Sequence, residues 1–239
     1  MNETLSTPCA PPVPNRTRIK ICGLTRAQDV DAAVDAGADA VGFVLWNGSA
    51  RAVSVECAAA LAARLPPFVT PVLLFVNEAP VTVRAALARV PGALAQFHGD
   101  ETPAQCLEAS GGGAYRFLRA ARIPPGAAGA GFDLLKFTHD FSAAQAILLD
   151  ADVQGYGGSG KGFDWSLLLR AENTRANACL VLSGGLNAAN VGAGIRLLRP
   201  RCRALAVDVS SGVESAKGIK DSGKMREFTA AVRAADASV

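Results

Sequence analysis

The sequence predicts a single α/β domain folded as a (β/α)8, or TIM, barrel, and three observations support that fold class. Eight short runs rich in Val, Leu, Ile, Phe and Ala alternate with helix-like stretches along the chain. The first run, Arg18-Ile19-Lys20-Ile21-Cys22, ends on a thiol, and Gly23-Leu24-Thr25 then supplies a glycine turn and a threonine suited to start a helix. In such a barrel chemistry sits at the carboxyl ends of the strands, and similar endings recur along this chain. Two glycine-rich endings, Leu182-Ser183-Gly184-Gly185 and Asp208-Val209-Ser210-Ser211-Gly212, follow what count as strands seven and eight. The competing architecture is a doubly wound open sheet, whose first turn would carry G-x-G-x-x-G. Cys22-Gly23-Leu24-Thr25 does not fit that fingerprint.

Taken in order, strands are expected near 18–22, 40–45, 70–75, 93–97, 115–119, 146–150, 179–182 and 204–209. Thr25 and Gln28 fit a capping box for the first helix; Val30, Ala33 and Val34 give it one apolar face, and Gly37 ends it. Ser54 opens a second helix through Arg64. Thr102-Pro103 pairs a cap residue with proline at the first helical position. Asn187 begins another helix, with Val191, Ile195 and Leu198 on one side, and Lys220 to Ala235 forms the last. The stretch 121–145 is rich in Gly and Pro and gives the weakest helix signal. Residues 1–16, with Pro8, Pro11, Pro12 and Pro14, read as a disordered leader ahead of a barrel domain spanning 17–239.

Half of the residues are hydrophobic and 19% are charged, an ordinary globular balance. A net charge of +3 is too mild to imply nucleic acid, and no run of five or six Lys/Arg appears. Six cysteines, at 9, 22, 57, 106, 179 and 202, form no Cys-x-x-Cys pair, and His98 and His139 lie far apart, so no zinc site is expected. The cysteines read as reduced and the compartment as cytoplasmic. No secretory signal pattern and no apolar stretch of membrane-spanning length are present in the sequence.

Several strand endings carry chemistry. Cys22 could serve as base or nucleophile if a cationic setting lowered its pKa, whereas Cys57, Cys106, Cys179 and Cys202 read as small core residues. Lys20 shares the side of the strand that carries Cys22 and could line the interior. Asp150 ends Ala146-Ile147-Leu148-Leu149, as a helix cap, a solvated loop residue or a general acid raised by an apolar rim. Arg51 could hold a carboxylate with two parallel hydrogen bonds or be a solvated surface arginine. His98, in Gln96-Phe97-His98-Gly99, could contact substrate or satisfy a loop carbonyl. Gly184, Gly185, Ser210, Ser211 and Gly212 are candidates for a phosphate site, because glycine lets backbone N–H groups approach an anion.

With these residues assembled, the chain resembles the phosphoribosylanthranilate isomerase family. The resemblance rests on Lys20-Ile21-Cys22-Gly23-Leu24-Thr25, Gly37-Ala38-Asp39-Ala40-Val41-Gly42-Phe43, Phe75-Val76-Asn77 and Gln96-Phe97-His98-Gly99. It extends through Tyr156-Gly157-Gly158-Ser159-Gly160-Lys161-Gly162-Phe163-Asp164-Trp165, Leu182 to Leu186 and Val207 to Glu214. It implies an Amadori rearrangement of N-(5′-phosphoribosyl)anthranilate in tryptophan biosynthesis, with no metal or redox cofactor. By the same resemblance Cys22 is the general base and Asp150 the general acid. Arg51 then faces the anthranilate carboxylate, and Asp208 lies near the sugar. The implied partner is a small phosphosugar substrate, with no nucleic acid or membrane, and the chain is a monomer or homodimer. Two other readings compete. A histidine-pathway isomerase would normally carry aspartate where Cys22 stands, and a barrel that binds phosphosugar without turnover would not need both Cys22 and Asp150.

Overall fold

The computed structural model describes residues 16–124, 129, 131–151, 165 and 176–238. Eight strands close into a barrel in sequence order. They are β1 (Arg18–Cys22), β2 (Ala40–Val44), β3 (Thr70–Phe75), β4 (Leu94–Phe97), β5 (Phe117–Ile123), β6 (Ala146–Ala151), β7 (Ala176–Leu182) and β8 (Cys202–Val209). Neighbouring strands are parallel, and β8 returns to β1 with Lys20 opposite Asp208. The described helices are α1 (Ala27–Asp35), α2 (Val55–Ala62), α3 (Pro80–Arg89), α4 (Pro103–Ala109), α5 (Leu134–Asp140), α6 (Val191–Leu198) and α7 (Ser222–Ala237). The proposed leader, apart from Arg16, lies outside the described residues, as do Cys9 and the Tyr156–Asp164 part of the glycine-rich block.

The period-two alternation of each strand divides the apolar side chains into two cores. Outward-facing Ile19, Ile21, Phe43, Leu73, Phe97 and Leu149 pack with Val30, Val83, Leu87, Ile195 and Phe228 of the helices. Phe228 is fully buried, so its truncation to alanine should cost about 3–5 kcal/mol. Inward-facing Val72, Leu118, Ala120, Leu148 and Val181 fill the lumen as a separate cluster. Toward the carboxyl ends the lumen turns polar, with Lys20, Gln96, His98, Asp150 and Asp208 all buried. The first and last elements are tied together at the other end: Thr17 donates its N–H and hydroxyl to the Asp236 carboxylate at 2.9 and 2.6 Å. That tie fixes the start of β1, the strand that carries Cys22.

Several boundaries differ from the sequence reading, each for a physical reason. The Thr25/Gln28 capping box does not form: α1 begins at Ala27, and the Thr25 hydroxyl donates instead to the Gly218 carbonyl at 3.1 Å. By contrast, Thr102 and Gln105 form a full capping box at α4, with Pro103 as its first residue. Expected at 115–119, β5 runs over Phe117–Ile123 because Arg119 and Arg122 interrupt an otherwise apolar strand. Asn187 does not open a helix; its Oδ1 accepts from the Ala189 and Asn190 N–H groups, and α6 starts at Val191. The last helix starts at Ser222, two residues late, because Glu214–Ala216 (β9) and Ile219–Lys220 (β10) pair as an antiparallel hairpin. Helix α3, absent from the sequence reading, starts on Pro80. Cys106 and Cys202 are buried as expected, but Cys57 and Cys179 are only partly so.

Candidate active site

Cys22 ends β1 on the inner face, opposite Gly42 of β2 in the sheet register. A Cβ at position 42 would stand 2.6 Å from the Cys22 sulfur, so the thiol occupies space that only glycine leaves. Gly23 then turns the chain at φ 76°, and the N–H groups of Gly23 and Leu24 donate to the Gly42 carbonyl at 2.9 and 3.0 Å. A Cβ on Gly23 would lie 2.4 Å from Arg51 Cδ and 3.1 Å from Ser210 Oγ. The loops after β1, β2 and β8 therefore meet beside the thiol.

Lys20 lines the interior, as its two-residue spacing from Cys22 suggests, and its Nζ donates to Asp208 Oδ1 at 2.9 Å. Burial pulls the Lys20 ammonium down, but Asp208 and Cys22 outweigh it and hold the group charged above its usual range. Burial pushes the Cys22 thiol above its ordinary value; Lys20 opposes the rise and Asp208 reinforces it. Cys106, on the buried face of α4, shows the effect of burial with weaker opposition: its thiol is pushed up to about 12.

Arg51 is not a solvated surface arginine, being only 5% exposed. Its Nε and Nη2 donate to the two carboxylate oxygens of Glu214 at 2.7 and 2.8 Å, which leaves the Nη1 side of the guanidinium for other partners. Glu214 begins the hairpin after β8. The Lys220 ammonium closes the arrangement, donating to Glu214 Oε1 at 2.8 Å and to the Ser210 carbonyl and hydroxyl at 3.0 and 3.2 Å. Burial alone would raise the Glu214 carboxyl, but hydrogen bonds from Arg51 and Lys220 outweigh it and hold it below the ordinary range.

Asp150, the penultimate residue of β6, faces the same inner surface. Its Oδ2 lies 3.1 Å from His98 Nε2, and its Oδ1 accepts from the Ala151 N–H at 2.9 Å. The amide nitrogen of Gln96 sits 3.0 Å from His98 Nδ1. With the Gln96 amide in this orientation Nδ1 is the acceptor and an Nε2–H faces Asp150. His98 thus bonds to a carboxylate rather than to a loop carbonyl. Outside the barrel, buried Arg119 donates to the Phe97 and Gly99 carbonyls, both at 3.1 Å, and pairs with Glu101. Glu101 in turn accepts from the Asn77 and Gly99 N–H groups at 2.8 and 2.9 Å. This bracing holds the His98 turn from behind.

The two glycine loops complete the mouth. Gly184 and Gly185 have φ of 79° and 66°, left-handed values that side chains rarely adopt. A Cβ on Gly184 would come 2.9 Å from Asp150 Oδ1, so this loop touches the carboxylate directly. A Cβ on Gly212 would come 1.9 Å from the Leu186 carbonyl oxygen, so the loops after β7 and β8 lie against each other. Ser211 opens a short 3-10 turn, Ser211–Val213, and Ser210 is anchored by Lys220.

Cys22, Arg51, Asp208 and Ser210 thus gather on the β1–β8 side, Asp150 and His98 gather on the β4–β6 side, and the glycine loops stand between them. Three participants carry no role in the sequence reading: Gln96, Glu214 and Lys220. Gln96 and Glu214 lie inside motifs of the resemblance, but the spacing of a hairpin gives no hint that Glu214 and Lys220 fold back onto Arg51.

Residues 19–231 match the family N-(5′-phosphoribosyl)anthranilate (PRA) isomerase. The chain is 62% identical over 224 residues to the N-(5′-phosphoribosyl)anthranilate isomerase of Methylibium petroleiphilum, covering 94% of this chain and 97% of that one. It is 60% identical to the same enzyme from Leptothrix cholodnii, covering 94% of each. The crystal structure of phosphoribosyl anthranilate isomerase from Thermotoga maritima superposes with a TM-score of 0.77 at 38% identity, covering 91% of this chain and 99% of that one. Another structure, of a phosphoribosyl anthranilate isomerase in complex with reduced 1-(o-carboxyphenylamino)-1-deoxyribulose 5-phosphate, gives a TM-score of 0.74 at 35% identity, with the same coverage. This chain belongs to the N-(5′-phosphoribosyl)anthranilate isomerase family.

Proposed function

We propose that this isomerase divides an Amadori rearrangement between Asp150 as general acid and Cys22 as general base, with N-(5′-phosphoribosyl)anthranilate as substrate. One observation carries the reading: a thiol and a carboxylate face one lumen from the ends of β1 and β6, with the glycine loops of β7 and β8 between them. A phosphosugar anchored by those loops would have the acid on one side and the base on the other.

In the first step Asp150 gives its proton to the ribose ring oxygen. The C1′–O bond breaks as the anilino nitrogen lone pair forms an iminium. The Cys22 thiolate then takes the C2′ proton, and the C–H electron pair passes into the iminium to give an enolamine. Tautomerisation yields the ketone, 1-(2-carboxyphenylamino)-1-deoxyribulose 5-phosphate. His98 holds the Asp150 carboxyl in place through Oδ2. The Nη1 side of Arg51 is the cation for the anthranilate carboxylate, and Asp208, already held by Lys20, serves the sugar hydroxyls. Phosphate is received by Gly184, Gly185, Ser210, Ser211 and Gly212, chiefly through backbone N–H groups.

Turnover of N-(5′-phosphoribosyl)anthranilate by the purified protein tests the reading. Cys22→Ser should fold with an unchanged melting curve and lose at least the ~10² typical of acid–base catalysis, because a hydroxyl is a far poorer base near neutral pH. A near-wild-type rate in that variant would remove Cys22 from the mechanism.

A further inference from the structure

Lys220 takes no part in the chemistry above, yet its side chain is 0% exposed beside the mouth. An ammonium has three donors. All three are used within the protein: by the Ser210 carbonyl at 3.0 Å, the Ser210 hydroxyl at 3.2 Å and Glu214 Oε1 at 2.8 Å. Lys220 therefore has no donor left for a ligand, and any effect it has on substrate must pass through its neighbours.

Those neighbours form one charged array. Glu214 is shared between Lys220 and Arg51, so a single carboxylate serves two cations. Next to it, Lys20 and Asp208 form a second pair that neutralises itself. Without Lys220, Arg51 and Glu214 would be a neutral pair, and a neutral pair attracts an anion only weakly. With Lys220, three cations (Lys20, Arg51, Lys220) face two carboxylates (Asp208, Glu214), and the positive excess sits between the Arg51 guanidinium and the Ser210 loop.

We infer that Lys220 is a specificity-determining positioning residue: it keeps the Arg51–Glu214 corner net positive and braces Ser210, so that both ends of a doubly anionic substrate are bound as anions. Glu214 has the complementary task of turning the Arg51 fork, at the cost of one positive charge. The inference rests on the substrate reading above, and the experiment separates the two.

The dissociation constant of inorganic phosphate is measured by calorimetry for wild type, Lys220→Met, Lys220→Arg and Glu214→Gln, alongside KM and kcat. Lys220→Met should weaken phosphate on the order of tenfold and raise KM by a similar factor, with a much smaller change in kcat. Lys220→Arg should recover part of both. Glu214→Gln removes a negative charge, so it should tighten phosphate while raising KM, because Arg51 is no longer oriented. A residue that only supported the fold would move phosphate affinity in the same direction in both variants. Unchanged phosphate affinity and KM in Lys220→Met would overturn the inference, as would weakened phosphate in Glu214→Gln. The second variant decides the matter even if Lys220→Met does not fold. A wild-type protein that failed to bind phosphate would instead overturn the phosphate-loop reading, and this inference with it.

Discussion

Gly42→Ala tests whether the Cys22 thiol must sit where the structure has it. The added Cβ would lie 2.6 Å from the sulfur, 3.1 Å from Cys22 Cα and 3.2 Å from Cys22 Cβ. Unstrained contacts between heavy atoms of this kind fall at about 3.5–4.0 Å, so the sulfur must retreat by about 1 Å. Rotation of the side chain cannot relieve the contact with Cα, so β1 and β2 must also part slightly at the Cys22–Gly42 register point. Overpacking of this size costs about 1–3 kcal/mol, a melting-point drop of about 2–12 °C for a domain of this length. A displacement of ~1 Å at a reacting group costs about 10²-fold in rate. Steady-state kinetics with the phosphoribosyl substrate, paired with a thermal melt followed by circular dichroism, measures both quantities. A folded Gly42→Ala protein that kept wild-type kcat would refute the reasoning, because the base would then tolerate displacement.

Other consequences follow from the same geometry. Burial holds the Cys22 pKa raised in the folded protein, so the thiolate fraction grows about tenfold per pH unit below that pKa. In Asp150→Asn, where the base alone sets the protonation requirement, residual kcat/KM should therefore climb from about pH 7 to pH 9 if thiolate is the base, and a flat profile for that variant would contradict the assignment. Lys20→Met removes the cation that most opposes this rise and should shift the climb to higher pH, read from the same profile. Gly212→Ala places a Cβ 1.9 Å from the Leu186 carbonyl, so it must separate the two glycine loops; substrate KM should rise far more than kcat falls. Arg51→Lys should recover only part of the binding lost in Arg51→Ala, since lysine cannot make the paired contact with Glu214 and a substrate carboxylate. Comparison with an analogue lacking that carboxylate checks this: an equal loss for both ligands would assign Arg51 to loop support.

Much of the site was legible because it is written locally. The ends of β1 and β6 carry Cys22 and Asp150 directly after apolar runs, and the strand count places Gly184 and Gly212 on neighbouring loops. What escaped depends on contacts distant in sequence or on burial that polar side chains do not advertise. Arg119 reads as the end of a strand, yet it is buried on the outer face, where its Nη1 and Nη2 pair with Phe97, Gly99 and Glu101 and its guanidinium stacks over Phe141 at 5.0 Å. Thr25 reads as a helix cap, but the hairpin after β8 brings the Gly218 carbonyl within reach and wins its hydroxyl. Glu214, with Lys220 bonded to it, reaches Arg51 across more than half the chain, a pairing that no periodicity encodes. The commoner solvated reading of Arg51 failed for the same reason.

The most direct test of the acid and base assignments is a kinetic isotope effect with substrate deuterated at C2′, measured in wild type, Cys22→Ser and Asp150→Asn. Loss of the base should make C2′ proton removal rate-limiting, so Cys22→Ser should show a large primary effect. Loss of the acid should make ring opening limiting, so Asp150→Asn should show an effect close to unity. A large effect in Asp150→Asn with none in Cys22→Ser would contradict the assignment and exchange the two roles.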